Sequence, residues 1–556
     1  MKFSNKHAWI RIITALMSAI LISGASAGEL SADPLSKTNR LPPSLEQKVQ
    51  DVRNVLEGSG YEVTRGYWTL WSVDDCKLPL QSVGFCYGNN PTAPYVVAVL
   101  PPWKDEFVDK SLHHALLQGQ KGMTPIYRLG EREALVVMAE LPPPARYFGL
   151  GTNLFTREIE TNPPAYEDDP VYQILSEDPV TADLLRIIFG ISPNPDRLMM
   201  ISSIGDTINN VVIEEQSKEN WGEQRFFVTT PDKNMAVTVT DALELAGVDP
   251  SHVFTERVGT RNPDDQDAPP LIQLGYGPEA DDFITYIRYS MPNDIALGEQ
   301  WREQLPLTIL RVRDLKDDEA IAPFDIPEYE AKTANTDEPD ELGVYLDRLV
   351  YAVMNNSGME TLDADGPVPF RSLTLWVDLV GQHCLGYDGP PETEDGITLP
   401  RGPMNCLGDN QDADYQISGD TFHLDDDQVI AVIGTIGTKT GNATYTSLSV
   451  NWFPELVGVL SRDDTVLEES AKKFKDAISL SDPELYKKFY VYYFARDCSG
   501  LYPWCKEIPT KEVPRGDTVK IIQRNYINPG TRRAPEPHKV LSPFSIVFDG
   551  KSRPIQ

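Results

Sequence analysis

Two distant stretches of this chain repeat one plan, and that repetition limits the folds open to it more than any other feature. The first stretch carries Thr69-Leu70-Trp71, then Cys76, then Cys86-Tyr87-Gly88-Asn89-Asn90. The second carries Thr374-Leu375-Trp376, then Cys384, then Cys406-Leu407-Gly408-Asp409-Asn410. Further along, YRLGEREALVVM from Tyr127 to Met138 answers FHLDDDQVIAVI from Phe422 to Ile433. ARYFGLGTNLF from Ala145 to Phe155 answers ATYTSLSVNWF from Ala443 to Phe453, with Ala, Tyr, Leu, Asn and Phe coinciding. All four matches keep their order, and the spacing drifts as it does when insertions fall in loops. The reading is an internal duplication.

Each half opens with an amphipathic helix. In SLEQKVQDVRNVLEGSG, Leu45, Val49, Val52 and Leu56 share one face and Gly58 supplies a stop. In ELGVYLDRLVYAVMNNSG, Leu342, Leu346, Leu349 and Val353 are placed alike. The period-two runs YWTLWSV and SLTLWVDLV predict half-buried strands, and ALVVMAEL and VIAVIGTI predict more fully buried ones. The predicted fold class is α+β: two β-rich duplicated halves with sandwich-like sheets. A fainter helix-strand-strand correspondence sets RFFVTTPDKNMAVTVTDALELAG, DDFITYIRYSM and PLTILRVR beside ESAKKFKDAISL, KKFYVYYFARDC and DTVKIIQRNYI.

A chain of 556 residues exceeds one ordinary core. Acidic, Pro-rich stretches mark its loops and linkers. The expected division is a signal peptide at 1–27, a first repeat domain at 28–158, a middle α/β region at 159–325 and a linker at 326–341. A second repeat domain at 342–460 and a C-terminal α+β region at 461–556 follow.

The export signal rests on Lys2, Lys6 and Arg11, the apolar run Ile12 to Gly24, and the small-x-small site Ala25-Ser26-Ala27. That run is too short for a bilayer, which takes about 20 residues, and no later segment is long and apolar enough. The predicted location is periplasmic or extracellular, with no integral membrane segment in the mature chain. A formal charge of −33 repels phosphate backbones and excludes nucleic acid as a partner.

An even count of six cysteines in an exported chain favours disulfides. The duplication reduces the fifteen possible pairings to one economical set: Cys76–Cys86, Cys384–Cys406 and Cys498–Cys505. No CxxC pair occurs, so neither a zinc site nor a redox centre is indicated.

Catalytic motifs are missing. In the mature chain there is no GxSxG elbow, no Walker loop, no GxGxxG opening a helix and no HExxH. His113 and His114 are adjacent on a predicted helix and diverge, while His383 and His423 flank the second cysteine loop. The densest carboxylate cluster is Asp409, Asp412 and Asp414, then Asp425, Asp426 and Asp427. Asp409, Asp412 and Asp414 are the calcium candidates, because calcium takes six to eight oxygens and DNQDAD offers several, although the spacing is not that of an EF-hand. No other cofactor is predicted. Trp68, Trp71, Trp376, Tyr147 and Tyr445 recur beside aliphatics, as core anchors do, rather than as rings for stacking a sugar. Arg524-Asn525-Tyr526 and Arg532-Arg533 form the one basic stretch, read as an internal tie or a grip on a carboxylate.

These features favour an exported, non-catalytic ligand-binding or interaction protein using a groove between its halves. Its partner is a small molecule, a carbohydrate or a protein. The alternative is an extracytoplasmic hydrolase acting on carbohydrate through a carboxylate pair that sequence does not nominate.

Overall fold

Alternating and continuous runs of β-branched and aromatic residues form long strands, and two sets of them fold back to enclose apolar cores. The computed structural model describes residues 39–552 apart from 83–85, 87–89, 92, 112–121, 160–191, 206, 219–220, 266, 317–319, 329, 363–365, 373–383, 386–404, 407, 409–410 and 454. Thr38–Gln556 forms one compact unit. The expected signal peptide and residues 373–380 of the expected strand SLTLWVDLV lie outside the described residues.

The first half begins with helix α1 (Pro43–Gly58), whose Leu45, Val49, Val52 and Leu56 are buried as the spacing predicts. Strands β1 (Tyr61–Trp71), β2 (Tyr95–Val99), β3 (Glu133–Glu140), β4 (Ala145–Glu158) and β5 (Arg197–Ser203) follow. Then come β6 (Gln224–Thr230), helix α2 (Lys233–Leu245), β7 (Val253–Arg257), β8 (Asp282–Pro292) and β9 (Leu307–Asp314). Their spatial order is β5-β4-β8-β2-β1-β9-β3-β6-β7. Strand β1 is the corner: Tyr61 to Gly66 pair with β9, and Tyr67 to Trp71 pair with β2. A Cβ on Gly66 would lie 2.5 Å from the Val99 carbonyl oxygen, so the corner requires glycine. The two wings close over Trp68, Val96, Phe148, Leu135, Phe227 and Ile309. Helices α1 and α2 cover the outer face of β9-β3-β6.

The second half begins with helix α3 (Glu338–Asn356), again with its predicted leucines buried. Its main strands are β10 (Ala413–Ile417), β11 (Gln428–Thr435), β12 (Tyr445–Phe453), β13 (Val457–Asp463) and β14 (Phe489–Ala495). The last three are β15 (Cys505–Glu507), β16 (Thr518–Tyr526) and β17 (Phe544–Asp549). One sheet runs β10-β16-β12-β13 and the other β17-β11-β14-β15. Ile430, Val432, Leu448, Val450, Phe494 and Ile521 pack between them, and α3 covers the outer face of the second sheet.

The protein is therefore an α+β fold of packed sheets, as the patterning predicts. Strand order in the two halves agrees: β5-β4-β8-β2 stands as β13-β12-β16-β10, and β9-β3-β6-β7 as β17-β11-β14-β15. In both, the last pair is the parallel one. Hydrogen bonding sets β14 in the place of β6 and β16 in that of β8, an alignment that helix-strand-strand order alone does not give. Because β8 and β9 lie inside the sheet begun by β1, the division at 158/159 falls within a single sheet.

The wing β5-β4-β8-β2 faces the sheet β13-β12-β16-β10. Tyr67, Trp71, Val97 and Ile284 of one half meet Phe453 and Leu456 of the other, and Tyr147 meets Ala413, Tyr445 and Tyr526.

Candidate functional site

Beside the seam, a cleft lined by residues of the first half holds polar groups that are left wanting. On β4, Tyr147, Gly149, Gly151 and Asn153 alternate to one face. Across the ladder on β8, Arg288 stands opposite Gly149 and Tyr286 opposite Gly151, while Tyr95 of β2 stands opposite Arg288. Directly paired residues share a face, so these side chains converge. Tyr147, Gly149, Gly151, Asn153, Tyr286 and Arg288 line the cleft, which has a volume of about 10 Å³, room for one water-sized group. The two glycines differ in role. A Cβ at 149 would sit 2.5 Å from the Tyr147 hydroxyl, whereas at 151 its nearest neighbour is Thr207 Oγ1 at 3.7 Å. Gly149 is thus required by crowding, whereas a side chain at 151 would make only an ordinary contact.

Arg288 is 5% exposed. It donates through Nη1 to the Tyr415 hydroxyl at 3.3 Å and through Nη2 to the Tyr286 hydroxyl at 3.2 Å. Its guanidinium lies 5.2 Å from the Tyr95 ring centre and 5.1 Å from that of Tyr286. Among the described residues its Nε has no acceptor and no carboxylate pairs with it. Guanidinium is not deprotonated in proteins. Burial pushes the Tyr415 and Tyr526 hydroxyls up, so neither is a phenolate that offsets the charge. Cation–π contact returns about 2 kcal/mol, less than the several kcal/mol of desolvation that a buried ion incurs. Asn153 adds a second orphan. Its Oδ1 accepts the Tyr286 hydroxyl proton at 2.9 Å, and among the described residues its Nδ2 has no acceptor. Two buried donors in one cleft call for an acceptor, preferably an anionic one.

The second half offers the comparison. Tyr445, Ser447, Ser449 and Asn451 alternate on β12 as Tyr147, Gly149, Gly151 and Asn153 do on β4. On β16 Arg524 stands opposite Ser447, and Tyr415 of β10 stands opposite Arg524, with its ring centre 5.6 Å from the guanidinium. There the acceptor is built in: Ser449 Oγ accepts from Arg524 Nη1 at 2.5 Å and from Asn451 Nδ2 at 3.2 Å.

Of the calcium candidates, Asp409 lies outside the described residues. Asp412 is buried and accepts from the Tyr147 hydroxyl and from Asn209 Nδ2, both at 3.0 Å, which ties the halves together. Asp414 is buried on β10. No group of three or more metal-ligating side chains occurs among the described residues. Asp426 and Asp427 engage Arg515 and Lys551 at the surface. His423 is exposed, and His113, His114 and His383 lie outside the described residues.

Trp68, Trp71, Tyr147 and Tyr445 are buried as core anchors, while Trp376 is not described. The cysteines pair as 76–86, 384–406 and 498–505, with Cα separations of 5.4, 5.8 and 5.6 Å. In the basic stretch, Arg524 turns inward to Ser449, and Arg532 reaches Glu215 of the first half. Glu106 and Glu133 are buried together, but Arg311 bonds both and neutralises them. No helix among the described residues is long and apolar enough to cross a membrane.

Sequence reasoning passed over Arg288, Asn153 and Gly151. The usable signal was the contrast of GLGTN with SLSVN in the repeated strand.

No family model matches the chain, and no curated protein matches it. Among solved structures it is similar to an uncharacterized protein from Burkholderia cenocepacia. Identity is 9%, over 92% of this chain and 96% of that one, with a TM-score of 0.35.

Proposed function

We propose that this is an exported, non-catalytic binding protein that receives the acidic group of a small ligand beside the seam between its halves. The observation that carries this reading is Arg288, a buried cation with an orphaned Nε and no carboxylate partner among the described residues, facing a cleft beside the orphaned Asn153 Nδ2. Arginine suits a carboxylate because its planar fork presents paired donors. The cleft admits one oxygen, so the remainder of the ligand sits at its mouth. Export is supported by the N-terminal pattern of charge, short apolar run and small residues, and by three disulfides. The location is periplasmic or extracellular.

The test is thermal melting of the oxidised protein in formate, the smallest carboxylate, against its neutral isostere formamide. Formate at a hundred times its dissociation constant adds about 2.7 kcal/mol. Formamide adds much less. In Arg288→Met the formate shift disappears while the melting point without ligand does not fall, because an uncompensated buried charge has been removed. Equal shifts by formate and formamide, or an unchanged shift in the variant, sink the reading.

A further inference from the structure

We infer that the chain is a tandem duplication that once carried two equivalent arginine sites, and that Ser449 has closed the second with a built-in ligand oxygen while Gly151 keeps the first open for the carboxylate of a ligand. The inference rests on the binding role proposed for Arg288 and names the atom that the ligand replaces.

The equivalence holds at single-residue register. Tyr147, Gly149, Gly151 and Asn153 align with Tyr445, Ser447, Ser449 and Asn451 without a gap. Arg288 is paired with Gly149 on one side and Tyr95 on the other. Arg524 is paired with Ser447 on one side and Tyr415 on the other. Both arginines therefore lie in the same ladder position, between the repeated tyrosine strand and a strand that supplies a second tyrosine. A slip of one residue would turn every one of these side chains to the opposite face, so coincidence at all these places is a strong constraint.

The packing of the halves is reciprocal as well. The Cys86 amide of the first half donates to the Glu455 carbonyl just before β13, and the Cys406 amide of the second donates to the Met200 carbonyl on β5. β5 and β13 are counterparts, so each disulfide loop docks on the same place in the other half. That is the signature of a two-fold, isologous interface.

Given that equivalence, the two sites differ in two hydrogen-bonding places: Ser449 stands for Gly151, and Ile522 for Tyr286, so that Asn451 Oδ1 lacks the donor that Asn153 Oδ1 receives. In the second, Ser449 Oγ accepts from Arg524 and from Asn451 Nδ2. In the first, Arg288 Nη1 already donates to Tyr415, and Arg288 Nε and Asn153 Nδ2 are each without an acceptor among the described residues, with a glycine whose Cβ would make only an ordinary contact standing between them. An oxygen is missing where Ser449 supplies one. A ligand oxygen fills that place, and a carboxylate oxygen also neutralises the guanidinium. Crowding does not prevent a serine at 151, since a Cβ there makes only an ordinary contact.

The experiment exchanges the two residues and reads melting and formate binding. In Gly151→Ser the hydroxyl satisfies Arg288 and Asn153 from within. Formate affinity falls at least tenfold while the ligand-free melting point holds or rises. Gly151→Ala, which adds the Cβ without the oxygen, gives a lower ligand-free melting point than Gly151→Ser. Ser449→Gly lowers the ligand-free melting point and gains a second formate equivalent. Gly151→Ser binding formate as the parent does, or Ser449→Gly gaining none, overturns the inference. If the parent ignores formate altogether, the binding role fails. The ligand-free ordering of Gly151→Ser, Gly151→Ala and Ser449→Gly then still decides whether the two positions are equivalent, and the reverse ordering refutes that too.

Discussion

Glu256 and Arg311 illustrate two fates of a buried charge, and Arg288 departs from both. Arg311, fully buried, is held between Glu106 and Glu133 and bonds the Arg128 carbonyl, so its charge is matched. Glu256, also buried, has no cation among the described residues, and three donors surround it instead: the Thr152 amide at 2.7 Å, the Thr152 hydroxyl at 2.7 Å and the Thr229 hydroxyl at 2.6 Å. Burial outweighs these donors and holds the Glu256 carboxyl above the ordinary carboxylate range. The folded state therefore keeps a proton that the unfolded chain has already shed, and stability falls as pH rises from the ordinary value to the raised one. Below that window there is no penalty, and above it the penalty is full and constant. Glu256→Gln removes the slope, because the amide oxygen keeps the Thr152 amide bond and the hydroxyls can reverse. Its melting advantage over the parent should grow from about pH 4.5 upward and then level off. An advantage that shrinks with rising pH would contradict the assignment. Arg288 was not legible in ITYIRYSM for a related reason. In an isolated sheet its position is the solvent-facing one of an alternating strand, and only the second half, folded over it, makes it a buried charge.

At the scale of elements, much of the fold is written in the sequence. The two opening helices bury the residues that their 3.6 periodicity selects, and strand order agrees between the two halves. The disulfides were legible because repetition, rather than spacing, chose among the pairings. The cleft was not, because its polar character depends on what a neighbouring strand places opposite Gly149 and Gly151, and register is a property of pairing. Loop entropy predicts the contribution of Cys76–Cys86, whose sequence separation is 10, at on the order of 2–3 kcal/mol. The pair also packs against Val457 in the other half. Cys76→Ser with Cys86→Ser should therefore lower the unfolding free energy read from urea melts by that amount, with a corresponding fall in the midpoint. A larger loss would show that the loop's docking across the seam had failed as well.

At the scale of the molecule, the seam determines whether the halves are separate domains or one cooperative unit. Mobile domain pairs meet through modest, polar interfaces. This seam is ringed by apolar contacts and closed by buried aromatics: Tyr526 lies 4.7 Å from Tyr147 across the seam and 5.1 Å from Tyr445 within its own sheet. Arg146 grips both oxygens of Asp464 at 2.5 Å, and burial raises that carboxyl, so the pair is partly withdrawn from water. Separation would uncover Tyr147, Tyr445, Tyr526, Phe453 and Trp71 together, and would leave Asp412 without its Tyr147 and Asn209 donors. Neither half can lose the other without exposing an apolar face and a buried acid. Calorimetry of the intact chain should therefore give one transition, with the calorimetric enthalpy equal to the van't Hoff value. Phe453→Asp puts a charge into the apolar part of the seam, at a cost of several kcal/mol. Coupled halves would still melt together at a lower temperature. Two resolved transitions in the parent would instead mean that each half stands on its own cores, and the cleft beside the seam would then open and close rather than persist as a fixed site.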